Sequence, residues 1–116
     1  MAVTDGANRI LESGISLNCI GVENWALSRS QALAALEGLE NLNSTVLGGD
    51  VIQFVKNAPR YTYDNWFCEM EDGESTTAFA TRSLVVAKSF ISGYRNADVQ
   101  EPFFALVLGK PTNSSI

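Results

Sequence analysis

Two stretches of the chain repeat apolar residues at helical spacing. The sharper one opens at Ser28, where a hydroxyl N-cap is followed three residues later by Gln31, a capping-box pattern. Ala32, Ala35, Leu36, Leu39 and Leu42 then fall on one face and Glu37 and Glu40 on the other, which predicts an amphipathic helix ending near Asn43. The second stretch is capped by Ser75, Thr76 or Thr77 and runs to about Ala97. Its inward stripe is Phe79, Ser83, Val86, Ala87, Phe90, Ile91 and Tyr94, with Lys88 and Arg95 outside it. A shorter helix is expected over residues 6–13, ended by Gly14. Residues 15–25 mix apolar positions with Gly21 and read as an irregular connection or a short strand.

Between the helices the period changes. Thr45 to Lys56 reads as a strand, Asn57-Ala58-Pro59-Arg60 as a turn broken by Pro59, and Tyr61 to Glu71 as an aromatic-rich second strand. Together they predict a hairpin. Without a bulge, Tyr61, Tyr63 and Asn65 project to one side and Thr62, Asp64 and Trp66 to the other. Pro102 to Leu108 is a nearly continuous apolar run, as in a covered strand. The order helix, helix, strand, strand, helix, strand predicts an α+β fold: a single domain, mainly antiparallel sheet with helices packed on it. It spans residues 1–116 with an ordered core at about 6–110, and the Ser/Asn tail after Gly109-Lys110-Pro111 is expected to lose structure.

The first strand carries an anomaly. Gly48, Gly49 and Asp50 interrupt Val46-Leu47 and Val51-Ile52. Glycine inside a strand marks a bulge or a close approach by a neighbour. A carboxylate there needs exposure, pairing or hydrogen bonds. The two glycines are therefore expected to be structural, and Asp50 to bond nearby backbone or a tyrosine hydroxyl.

Bulk properties narrow the function. A chain of 116 residues, 46% hydrophobic and 18% charged, suffices for one core. The beginning of the chain lacks the basic and apolar regions of a signal peptide, and no run is long enough to span a bilayer, which together predict a cytoplasmic protein without a membrane partner. Cys19 and Cys68 are expected as reduced, packed thiols. The net charge of −5, from 13 acids and 8 bases, disfavours nucleic acid as a partner and suits a protein with a basic surface. The acids are uneven: Asp64, Glu69, Glu71, Asp72 and Glu74 crowd eleven positions, with Arg60 the nearest base in the sequence.

Catalytic signals are thin. With no histidine, the commonest general base and zinc ligand are missing. No motif sets a serine beside Lys56, Lys88 or Lys110. Neither the acidic segment nor Gly48-Gly49 has the spacing of a calcium loop or a phosphate loop, so no cofactor or metal is expected. The rival to a binding role is a small ligand-binding domain, or a carboxylate-dependent enzyme, using Asp50 with Tyr61 or Tyr63. Trp25, beside the capped helix, is either a staple-like core residue or an interface anchor. Trp66, on the acidic hairpin, is either core or an interface anchor. The partner-binding candidates are Asp50, Tyr63, Asp64, Trp66, Glu69, Glu71, Asp72 and Glu74.

One further pattern emerges in chain order. Gly21-Val22-Glu23-Asn24-Trp25-Ala26-Leu27 leads into the helix with Gln31-Ala32-Leu33. Val46-Leu47-Gly48-Gly49-Asp50-Val51 follows, then Tyr63-Asp64-Asn65-Trp66-Phe67-Cys68, then an aromatic-rich helix ending near Tyr94. Over roughly positions 10 to 108 this resembles the immunity protein 40 family of bacterial polymorphic-toxin systems. The resemblance implies a small cytosolic antitoxin, not an enzyme, that binds a cognate toxin domain and blocks it. The missing catalytic set, the acidic balance and the single domain are compatible with that.

Overall fold

The structure, a computed structural model, describes residues 5–109. The expected tail from Lys110 onward lies outside them. The chain is α+β: a five-stranded antiparallel sheet carries its helices on one face. The elements are α1 (Asp5–Leu11), β1 (Ile15–Ser16), a 3-10 turn (Asn18–Ile20), β2 (Trp25–Ser28), α2 (Arg29–Asn41), β3 (Val46–Val55), β4 (Ala58–Phe67), α3 (Thr76–Gly93) and β5 (Phe103–Leu108).

The strand order is β1-β2-β5-β3-β4, and every pairing is antiparallel. β5 therefore separates β2 from β3, and β3 separates β5 from β4. Helix α2 joins the parallel, non-adjacent pair β2 and β3; α3 does the same for β4 and β5. The two helices run antiparallel, with Arg29 at the start of α2 donating to the Ile91 carbonyl near the end of α3.

Both helix starts are built as their sequences indicate. Ser28 Oγ accepts from the Gln31 amide at 3.2 Å, and the Gln31 side chain accepts from the Ser28 amide at 2.9 Å. Ser75 caps α3 by accepting from the Ala78 amide at 3.0 Å. Ala32, Ala35, Leu36 and Leu39 are buried, while Leu42, just past the helix, is exposed. Ser83 is buried within the α3 stripe: its hydroxyl donates to the Ala80 carbonyl and accepts from the Val46 amide at 3.0 Å. A polar atom in the core is thus satisfied on both counts.

Four expectations are corrected. Residues 15–25, expected as a connection or one short strand, hold β1 and the start of β2, and β2 runs on to Ser28 and pairs with β5 inside the sheet. The turn is Lys56-Asn57, not residues 57–60. Both residues have positive φ, 53° and 68°, as a two-residue hairpin loop demands. Pro59 lies within β4, an edge strand, where its missing amide costs no ladder bond. α3 stops at Gly93: Tyr94 turns extended, and Arg95 donates to the Ser92 and Tyr94 carbonyls. Of the two thiols, Cys68 is packed but Cys19 is exposed; both are free.

The larger core cluster lies between sheet and helices, including Leu27, Leu39, Val51, Trp66, Ile91 and Phe104. A smaller one, Leu17, Ala26, Ile52 and Ala105, lies on the opposite face under the segment between β1 and β2.

Candidate interaction surface

The hairpin β3–β4 positions most of the candidate residues. Gly49 pairs with Trp66 across the strands, and a Cβ at Gly49 would overlap the Trp66 ring and come within 2.8 Å of the Ala105 carbonyl oxygen. The empty position is where the indole lies. Trp66 then stacks on Phe90 of α3, with centroids 4.6 Å apart and planes 27° from parallel. At Gly48 a Cβ would run into the Trp66 carbonyl oxygen and stand 2.9 Å from Phe67 Cα. A shift in the β3–β5 register falls between Val46 and Gly48. Both glycines thus admit the close approach expected of them.

Trp66 is 8% exposed and belongs to the core, so its candidacy as an interface anchor is withdrawn. A ring stacked on α3 cannot also reach a partner. Its buried indole N–H finds no acceptor among the described residues.

Between Asp50↔Asn65 and Ile52↔Tyr61 the register slips, so Val51 opposes Thr62, Tyr63 and Asp64 together. Two extra residues make a bulge larger than the usual two-against-one kind. Thr62 holds its base, donating to the Val51 carbonyl at 3.0 Å and accepting from the Asp64 amide at 3.1 Å. Asn65 Nδ2 donates to the Tyr63 carbonyl. At the apex Tyr63 adopts φ 72° and is 85% exposed. A bulky side chain rarely sits in the left-handed region, and such strain concentrates at functional positions.

Asp64 faces α3. Its Oδ2 accepts from the Tyr94 hydroxyl at 2.6 Å and from Asn96 Nδ2 at 2.9 Å. Those two bonds hold its pKa below the usual carboxylate value, while burial, and then the bond to Asp64, push the Tyr94 phenol up. Asp64 is therefore a brace between the bulge and the end of α3.

Asp50 departs from expectation. No hydrogen bond reaches its carboxylate among the described residues, from backbone, Tyr61 or Tyr63 alike; partial burial alone raises its pKa. Asp50 and the tyrosines are not assembled into a hydrogen-bonded site.

The acidic segment lies at the open end of the hairpin, whereas Arg60 lies near the Lys56-Asn57 turn. The base that meets the acids is Arg82 of α3. Its Nε and Nη2 bond the two Glu74 carboxylate oxygens, each at 2.8 Å, and Nη2 also donates to the Glu69 carbonyl at 2.6 Å. Glu74 additionally accepts from the Glu71 amide at 2.9 Å. Led by the Arg82 bonds, these interactions hold Glu74 down to about 2. Glu74 is thus a clamp, not a free surface charge, and no helical spacing in the sequence pairs it with Arg82. Glu69, Glu71 and Asp72 remain exposed.

Further exposed apolar residues were not anticipated. Phe67 ends β4 at 72% exposure, and Val107 on β5 stands at 44%. A separate hollow between α2 and α3 is lined by Leu33, Leu36, Leu84 and Val85 with Glu37 and Lys88. Among the described residues no three acidic or thiol groups gather as for a metal ion. No described helix is long and apolar enough to cross a membrane.

The comparisons add one finding: a family model described as Immunity protein 40 matches residues 16–108. No curated protein matches the chain, and no solved structure does.

Proposed function

The chain belongs to the immunity protein 40 family, and from that premise we propose that it is a cytoplasmic antitoxin that neutralises a cognate bacterial toxin domain by direct contact, without turnover of its own. The family match over residues 16–108 carries this reading. The binding region proposed is the β4 side of the hairpin with the loop after it. Tyr63 serves there as an aromatic anchor, with Glu69, Glu71 and Asp72 as the charged surround and Asp50 nearby on β3.

Two physical arguments support that choice. Tyr63 is pushed into solvent at a strained φ by a bulge that Thr62, Asp64 and Asn65 hold in place. A backbone fixed this way presents the ring without further ordering of the main chain on binding. The exposed acids and the net charge of −5 favour a basic partner, and charges of this kind act mainly on encounter and specificity.

Growth protection tests the function. Co-expression with its cognate toxin domain should restore growth, and failure to protect would overturn the reading. Binding rates test the surface. Reversing Glu69, Glu71 and Asp72 to Lys should slow association at low salt by about tenfold and flatten its salt dependence. Glu74 is left intact because Arg82 already occupies it. Association at the wild-type rate would show that the charged surround lies elsewhere.

A further inference from the structure

The sheet face turned away from α2 and α3 is only partly covered. Cross-strand partners project to the same side. The register therefore sets Gly48, Asp50 and Ile52 of β3, Asn65 and Phe67 of β4, and Phe103, Ala105 and Val107 of β5 on that face. Leu17 and Val22 cover the Ile52 and Ala105 region. Beyond them the sheet emerges. Phe67 and Val107 both pair with Gly48, which is itself buried, so the two exposed apolar side chains flank one position and form a shelf there. Asp50 follows two residues along the strand, flanked by Ala105 and Asn65, half-buried and without a hydrogen-bond donor among the described residues.

We propose that this strip receives an arginine or lysine side chain of the toxin domain, its apolar stem lying across the exposed Phe67 and Val107 side chains and its charged head pairing with Asp50. The proposal rests on the antitoxin reading and adds the contact chemistry to it. The dimensions suit: two residues along a strand span about 7 Å, the reach of a long basic side chain. Phe67 and Val107 offer apolar surface to the stem of such a side chain. Partial burial of Asp50 weakens the competition from water, which makes a fixed cation worth more there than at a fully solvated acid. Glu69, Glu71 and Asp72, in the loop that follows Phe67, add attraction of the same sign. A second copy of this chain is the poorer occupant, because two molecules of charge −5 would bring like charges together.

The test measures equilibrium binding of purified protein to an inactivated form of the cognate toxin domain. Asp50→Asn and Phe67→Ser should each raise Kd by at least about tenfold. Val85→Ser, at a site 62% exposed on α3, should leave Kd unchanged. Neither test variant should lose stability. Phe67 is largely in water, and Asp50→Asn removes a carboxylate whose ionised form burial penalises. Wild-type binding with unchanged Kd for Asp50→Asn and Phe67→Ser would overturn the strip while leaving the antitoxin reading intact. No binding by the wild type would overturn both.

Discussion

Trp66 and Gly49 explain each other: the ring occupies the volume a side chain at Gly49 would fill, and Phe90 closes the stack from α3. Gly49→Val should therefore destabilise the fold by about 1–3 kcal/mol, the usual cost of overpacking a filled core. A denaturant midpoint equal to wild type would contradict this. Tyr63 is the opposite case, a residue whose backbone opposes its side chain. Because glycine is free of the left-handed penalty at φ 72°, Tyr63→Gly should be about 1 kcal/mol more stable than Tyr63→Ala. Tyr63→Gly should also speed dissociation from the toxin domain. If the two variants melt alike, the strain at Tyr63 is not a real cost. The glycines were legible in sequence because glycine inside a strand has few explanations. The burial of Trp66 was not, since a tryptophan on an acidic strand fits core and interface equally until the helix above it is placed. Nor could sequence reveal that Asp50 lacks a donor, which depends on a bulge that carries Tyr63 to its apex.

The segment from Cys68 to Glu74 is anchored through Arg82, which binds the Glu74 carboxylate and the Glu69 carbonyl. The pH dependence follows from the sign of the Glu74 shift. Its folded pKa of about 2 lies below its ordinary 4.5, so the contribution is fully present above the ordinary value and is lost as pH falls through the folded one. Asp64, also held low, acts in the same direction. Glu74→Gln should thus lower the melting temperature at neutral pH, and the gap to wild type should close as pH falls from about 4.5 towards 2. A gap independent of pH would mean that the clamp is not ionic. The principal helices and the hairpin could be read from periodicity and caps. β1 and β2 could not: two and four residues around Gly21 carry too little pattern, and their strand character comes from pairing with each other and with β5. Arg82 also escaped, because it reaches back across a loop to a residue eight positions earlier, outside any helical spacing.

On the scale of the whole molecule, both principal helices cover one side of the sheet and leave the other side partly bare. The α+β class followed from the order of periodic segments. The strand order did not, because it depends on β5 inserting between β2 and β3, a long-range pairing with no local signature. The partly bare face, the projecting Tyr63 and the exposed acids all lie on or beside the β3–β4 hairpin, the region proposed for toxin contact. The central claim is neutralisation by direct binding. Its most direct measurement titrates purified protein into the active cognate toxin domain while following that domain's own activity. The account predicts a fall in activity that saturates near equimolar protein and needs no further factor. Full toxin activity in the presence of excess folded protein would contradict it.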